Sequence, residues 1–223
     1  MDLKLFTQAI TKFTLGLLLV GALLFIPAGS FSYWQAWLLI GILFIPMFIA
    51  GLIMMKKCPE LLRKRLNGKE EENEQKEVVL FSGLMFAAAF ILAGLNYRFD
   101  WFMLSDWVSI IAAVIFLIAY ALYAEVMREN VWLSRTVEVQ ENQKVIDTGL
   151  YGIVRHPMYM TTLLLFLSMP LVLGSLISFG IMLLYIPIIA KRIRNEEIVL
   201  ENGLEGYADY KQRVRYKVIP FIW

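Results

Sequence analysis

Long uncharged runs separated by short charged segments dominate this chain, and the runs set its elements. Phe13–Met55 carries no charged residue over 43 positions, about twice the ~20 residues that span a bilayer as a helix. It therefore folds into two helices, with Pro27-Ala28-Gly29-Ser30 as the turn and Tyr33, Trp34 and Trp37 at the interface just beyond it. Lys56-Lys57-Cys58-Pro59 ends the second helix, because proline disfavours helix in the residue before it. Val78–Tyr97 and Trp107–Ala124 are two further uncharged stretches of spanning length. Between the second and third spans lies a charged linker, Lys56–Glu77, whose tract Lys69–Glu77 reads as solvated helix or loop. After Glu125 the pattern breaks up, and Val126–Val154 reads as a polar connector. Pro157–Ala190 then runs 34 residues without charge, about 50 Å as one straight helix, so it folds back near Pro170 through Gly174-Ser175. That leaves two arms of roughly 15 residues, each short for a full crossing, and a charged tail, Lys191–Trp223.

The pattern thus predicts an all-α membrane protein of about six transmembrane helices, the last two forming a hairpin, with a helical C-terminal tail. Composition agrees: 59% of the residues are hydrophobic and 18% charged, too apolar for a soluble domain of this size. The first apolar segment lacks a small-x-small exit and runs into the next, so it is expected to stay as a helix. Residues 1–125 are expected to form a four-helix region carrying the 56–77 linker, and 126–223 a core of connector, hairpin and tail. If six segments alternate, 20 of the 21 basic residues fall on one side, Arg98 being the exception. The positive-inside rule then puts both termini, the connector and the tail in the cytoplasm.

One cysteine, Cys58, and one histidine, His156, exclude an internal disulfide and argue against a dedicated metal site. Nothing points to a nucleic-acid partner. The chemistry gathers at two corners that the hairpin would bring together at the cytoplasmic boundary: Asp147–Tyr159, which holds Arg155-His156, and Lys191–Glu197. A cationic pair at the mouth of a membrane segment is costly unless an anion or a wet cavity receives it. Arg155 and His156 suit a carboxylate, and Glu196 and Glu197 suit an ammonium or a ribose diol. Trp132, Tyr151 and Tyr159 could supply an aromatic wall that attracts a cation such as a sulfonium, while Gly149 and Gly152 would let backbone approach a ligand closely. Each residue alone also has an ordinary role. His156 could be a helix-start residue, Arg155 an anchor, and Glu196 an i,i+4 partner of Arg192. Tyr207 and Tyr210 could pack the tail, and Asn130, Ser134 and Arg135 could be plain loop residues.

Taken together and in order, these residues resemble the isoprenylcysteine carboxyl methyltransferase family, part of a wider group of membrane methyltransferases that includes phospholipid N-methyltransferases. The resemblance rests on Arg155-His156-Pro157-x-Tyr159, preceded by Gly149-x-Tyr151. After the hairpin follow Arg192-x-x-x-Glu196-Glu197-x-x-Leu200 and Tyr207-x-x-Tyr210-x-x-x-Val214. It covers roughly 130–223. It implies an S-adenosylmethionine pocket on the cytoplasmic side, closed over by the tail, and a lipid-facing tunnel for a lipid-like or small hydrophobic methyl acceptor. Tyr151, Arg155, His156, Tyr159, Glu196 and Glu197 would bind the cofactor, with Glu197 holding its polar groups. His156 and Arg192 would be the catalytic pair, Arg192 ordering the tail or meeting an acceptor carboxylate. The sequence departs from the family in having Met160-Thr161-Thr162 where a small residue is usual, and in lacking a Phe-Gly pair between Leu200 and Tyr207. Two alternatives stay open: an NADPH-dependent reductase, because sterol reductases carry a similar Arg-His-Pro-x-Tyr and tail pattern, and a non-catalytic membrane scaffold.

Overall fold

The uncharged runs become helices whose ends fall at the proline, glycine and charged positions. The computed structural model describes residues 3–66, 73–133 and 137–223. Ser134, Arg135 and residues 69–72 of the acidic tract lie outside that set. In chain order the helices are α1 (Leu3–Ala28), α2 (Trp34–Lys57), α3 (Pro59–Leu66), α4 (Asn73–Phe99) and α5 (Asp106–Glu129), followed by α6 (Pro157–Val172), α7 (Leu176–Met182), α8 (Tyr185–Gly203) and α9 (Tyr207–Arg213). Five segments are long and apolar enough to cross a membrane: α1, α2, α4 from Glu77, α5, and α7–α8 taken together; α6 is a shorter apolar helix. Residues such as Leu18, Leu19, Ile53, Leu80, Ile111 and Ile118 are exposed on these helices. Faces that apolar need lipid as their solvent, and the chain is a multi-pass integral membrane protein.

The expected turns are where the sequence put them. α1 ends at Ala28 ahead of Gly29, and α6 passes through Pro170 to end at Val172. Gly174 then turns the chain with φ +66°, a conformation L side chains rarely adopt. The returning arm, however, is not a 15-residue stub. It runs as α7 and α8 over 28 residues, Leu176–Gly203, with its break at Leu183–Leu184. Pro187 explains the break: its ring has no N–H and would clash with the carbonyl four residues back, that of Leu183. The chain there uses tighter bonds, Leu184 N–H to Ile181 O (3.0 Å) and Ile186 N–H to Leu183 O (3.1 Å).

Packing is densest where small residues let helices meet. α5 lays Ala112, Ala113, Phe116 and Ala119 against Leu165, Met169 and Val172 of α6. α1 and α4 approach so closely that a Cβ on Gly94 would lie 2.5 Å from the Leu24 carbonyl oxygen. At one end of the bundle the α1–α2, α4–α5 and α6–α7 turns are tied together. Tyr33 Oη donates to Leu173 O (2.6 Å), and Leu104 N–H donates to Gly174 O (2.8 Å). The opposite end gathers the start of α6, the polar half of α8, α9 and the short helix α3, which Lys12 of α1 holds by donating to Leu66 O (2.5 Å).

Candidate functional site

Pro157 opens α6, where its missing N–H is not needed and its φ suits a first helical residue. Arg155 and His156 therefore lie just outside the helix, with their backbone N–H groups available. These pair with the C-terminal tail: Arg155 N–H donates to Tyr216 O (2.9 Å) and His156 N–H to Lys217 O (2.8 Å). The Arg155 side chain repeats the tie, Nη1 donating to Val214 O (2.7 Å) and Arg215 O (2.8 Å), while Nε donates to Glu197 Oε1 (2.9 Å). Glu197 also receives His156 Nε2 at 3.2 Å on Oε1 and Lys217 Nζ at 2.8 Å on Oε2. Arg155, His156 and Glu197 are buried. The two corners expected to meet across the hairpin do meet, and the tail is stitched over them.

Glu196 and Glu197 sit about 100° apart around α8, and the rotation separates their roles. Glu197 faces inward to Arg155, His156 and Lys217. Glu196 faces a cleft, where Tyr159 Oη donates to it and Arg192 Nε donates to the same phenol oxygen (3.0 Å). His156 Nδ1 lies 3.9 Å from Glu196 Oε1. The cleft encloses about 820 Å³ of open space, mouth included, and Trp132, Tyr151, Arg155, His156, Tyr159, Arg192 and Glu196 all line it. Glu197 does not, because its carboxylate is already engaged by three partners. Gly149 and Gly152 are not on the wall either. They form a 3-10 turn, with Gly149 at φ +56° backed by the Glu129 carboxylate.

The roof comes from α9. Tyr210 Oη donates to Tyr151 O (2.7 Å), and Asn130 Nδ2 donates to Tyr151 Oη (2.9 Å), fixing the aromatic wall. Tyr207 is buried on the cleft, and its hydroxyl has no hydrogen-bond partner among the described residues. Burial, then the charges of Glu197 and Glu196, push its phenol well above the usual tyrosine range, so it stays a donor. An unsatisfied buried hydroxyl costs free energy unless a ligand completes it. Tyr207 and Lys217 were not singled out as site residues from the sequence. The regular Tyr-x-x-Tyr spacing at 207 and 210 was the available signal for the first; for Lys217, only the tail's pairing with Arg155-His156 reveals it.

A second cavity adjoins the first. It is apolar, encloses about 1440 Å³ of open space, and lies among α1, α2, α3, α5 and α6 at the same end of the bundle. α6 is the shared wall: Met158 and Tyr159 face the polar cleft, while Thr162, Leu165, Phe166 and Met169 face the apolar one. Thr162 accepts from Tyr185 Oη (3.1 Å) and donates to Tyr159 O (3.1 Å), which gives the last residue of the Met160-Thr161-Thr162 departure a place in the wall. No group of His, Cys, Asp and Glu able to hold a metal occurs among the described residues.

Among known proteins, residues 109–202 match the family model described as the isoprenylcysteine carboxyl methyltransferase (ICMT) family. The match runs from Ser109 in α5 to Asn202 in α8, starting earlier than the sequence resemblance and stopping short of α9. Delta(14)-sterol reductase of Mus musculus is 28% identical over 91 residues, 40% of this chain and 22% of that protein. The chain thus spans about a fifth of the length of this curated relative.

Proposed function

We propose, from the match of residues 109–202 to the model of the isoprenylcysteine carboxyl methyltransferase family, that this protein is a membrane S-adenosylmethionine-dependent methyltransferase with a lipid-like or small hydrophobic acceptor. Both termini and the cleft would face the cytoplasm. The observation that carries the proposal is the tail-roofed cleft, with a donor, Tyr207, and an acceptor, Glu196, on its wall. The residues fit the cofactor. Glu196 suits an ammonium or a ribose diol, the Tyr207 hydroxyl supplies the donor that a carboxylate or ring nitrogen takes, and Trp132 and Tyr151 offer faces to a cation. When bound, S-adenosylmethionine supplies a methyl group on a sulfonium, transferred as the C–S electron pair withdraws to sulfur.

The chain's own residues position and enclose. Arg155, His156 and Lys217 hold Glu197 and so keep the tail in place as the roof of the cleft. Arg192 fixes Tyr159, and Tyr159 fixes Glu196, so the acidic wall is set before a ligand arrives. His156, packed on Tyr159 with ring centroids 5.7 Å apart, is the group at hand to take a proton from an acceptor that carries one. An acceptor's hydrocarbon would occupy the apolar cavity across α6.

Calorimetric titration of the purified protein with S-adenosylmethionine is the direct test. Saturable binding is expected, weakened about fivefold in Tyr207→Phe, the loss of one neutral hydrogen bond; a folded sample that binds none overturns the proposal. The likeness to a sterol reductase makes a nicotinamide dinucleotide phosphate the competing ligand. The cleft wall mixes Glu138 and Glu196 with Lys144, Arg155 and Arg192, whereas a polyanion calls for an excess of cations. Titration with NADPH under the same conditions separates the two.

A further inference from the structure

The tail segment Val218–Trp223 lies outside the region that matches the family model and carries no charge. It is a loop closed on itself. Val218 and Ile219 N–H both donate to Trp223 O (2.8 Å each), Ile222 and Trp223 N–H both donate to Ile219 O (3.1 and 3.0 Å), and Pro220 has no N–H to satisfy. Its inner side is fixed to the bundle. Val218 is buried in the same cluster as Met85 and Ala89 of α4 and Ile189 and Ile193 of α8, and Trp223 packs on that cluster. Its outer side is bare and apolar: Phe221 is 86% exposed, Ile222 78% and Ile219 41%. Phe221 also holds φ +65°, a backbone setting that is costly for a bulky residue and persists where its surroundings reward it.

We infer that Val218–Trp223 is a membrane-interface anchor, with Ile219, Phe221 and Ile222 seated among the lipids of the leaflet at the site end, and that it holds the roof of the cleft from the lipid side. The occupant is lipid because the loop continues a lipid face. Val79, Leu80 and Leu84 of α4 and Ile186 of α8 are exposed on the spans that its cluster joins. A loop whose N–H groups are bonded internally enters the boundary of a bilayer at little cost. Exposed apolar side chains flanked by Tyr216 and Trp223 suit that boundary, and Arg215, exposed just ahead of them, suits the headgroup phosphates. The link to the site is covalent and short. Tyr216 and Lys217, whose carbonyls receive the N–H groups of Arg155 and His156, directly precede Val218, and Lys217 Nζ holds Glu197. Lipid seating and the Glu197 cluster therefore grip neighbouring stretches of one strap. What the anchor does to a bound cofactor rests on the methyltransferase reading; the anchor itself does not.

The test uses the full chain in phosphatidylcholine nanodiscs, with Cys58→Ser and a bimane label on Ile222→Cys. The label is expected to lose emission when the nanodisc lipid carries a spin label high on its acyl chain, and to keep it in dissolved iodide. Phe221→Asp beside the label should reverse both results, and Phe221→Leu should retain the original pattern. Iodide quenching without lipid quenching overturns the inference, and shielding from both quenchers, which would place protein against the loop, overturns it too. So does lipid quenching that Phe221→Asp leaves unchanged, since the label would then be entering the bilayer by itself. If Phe221→Asp does not purify folded, Phe221→Ser takes its place with the same outcomes. For the roof, calorimetry in unlabelled nanodiscs should show S-adenosylmethionine binding weakened about fivefold in Phe221→Asp, the loss of one apolar tie to the membrane. Equal affinity in the two proteins overturns the link between anchor and roof. Absence of S-adenosylmethionine binding in the unaltered protein would sink the methyltransferase proposal, and the quenching result would still decide the anchor.

Discussion

Glu197 holds Arg155, His156 and Lys217 at once, and the number of its partners sets what its loss would do. Removing one member of a buried, hydrogen-bonded ion pair leaves the other charge uncompensated, at a cost of about 3–5 kcal/mol. Arg155 is as buried as Glu197, so Glu197→Gln is expected to lower the unfolding temperature markedly and to loosen the tail. Glu196 is partly exposed on the cleft wall and is met by neutral Tyr159. Glu196→Gln should therefore leave thermal unfolding in detergent nearly unchanged while weakening S-adenosylmethionine binding in calorimetry. If both variants lost stability equally, the division of labour within the pair would be wrong. The sequence shows two adjacent glutamates and a resemblance that assigns both to the cofactor, the second holding its polar groups. What it lacks is the rotational setting of α8, which tertiary packing of Ile189 and Ile193 decides. Tyr207, expected only to pack the tail, and Lys217, not named from the sequence, take their places for the same reason: the tail folds back onto Arg155-His156, a contact between distant parts of the chain.

At the scale of elements, the helices were legible because absence of charge over ~20 residues is a direct consequence of the lipid solvent. Prolines and glycines punctuate them at predictable places. Two features were not legible. α3 is eight residues, half of them charged, that become a wall of a cavity, and the helical opening of the tail is continuous with the apolar arm, so that α8 runs unbroken past Ala190. How closely helices approach is also invisible in hydropathy, though it decides stability inside a membrane. Gly94 marks the tightest place: a Cβ there would meet Leu24 O at 2.5 Å and Ala28 N at 3.0 Å, both backbone atoms that cannot step aside singly. Gly94→Ala should push α1 from α4 and cost about 1–3 kcal/mol. Gly83, on the same helix with nothing within 4 Å of its would-be Cβ, is the control. Gly83→Ala should be neutral or slightly stabilising through helix propensity, and unfolding of both in one detergent checks the contrast.

For the whole molecule, the distribution of charge and the placement of the site coincide. The polar cleft, the apolar cavity beside it and the charged parts of α3, α8 and α9 share one end of the bundle. The other end is closed by turns that carry Arg98 as their one basic side chain. A difference that large between two ends separated by lipid sets orientation during insertion, and the end rich in lysine and arginine is expected in the cytoplasm. The single cysteine offers a reporter, since Cys58 is exposed between α2 and α3 at the site end. A membrane-impermeant maleimide added to intact cells should leave Cys58 unlabelled until the membrane is permeabilised. In a Cys58→Ser background, Ser32→Cys, exposed in the α1–α2 turn at the opposite end, should label without permeabilisation. The reverse pattern would put the cleft outside the cell, beyond reach of a cytosolic cofactor, and would undo the functional proposal even with every contact around Glu197 intact. Labelling of both positions in intact cells would mean two orientations, and the count of basic residues would then have failed to set the topology.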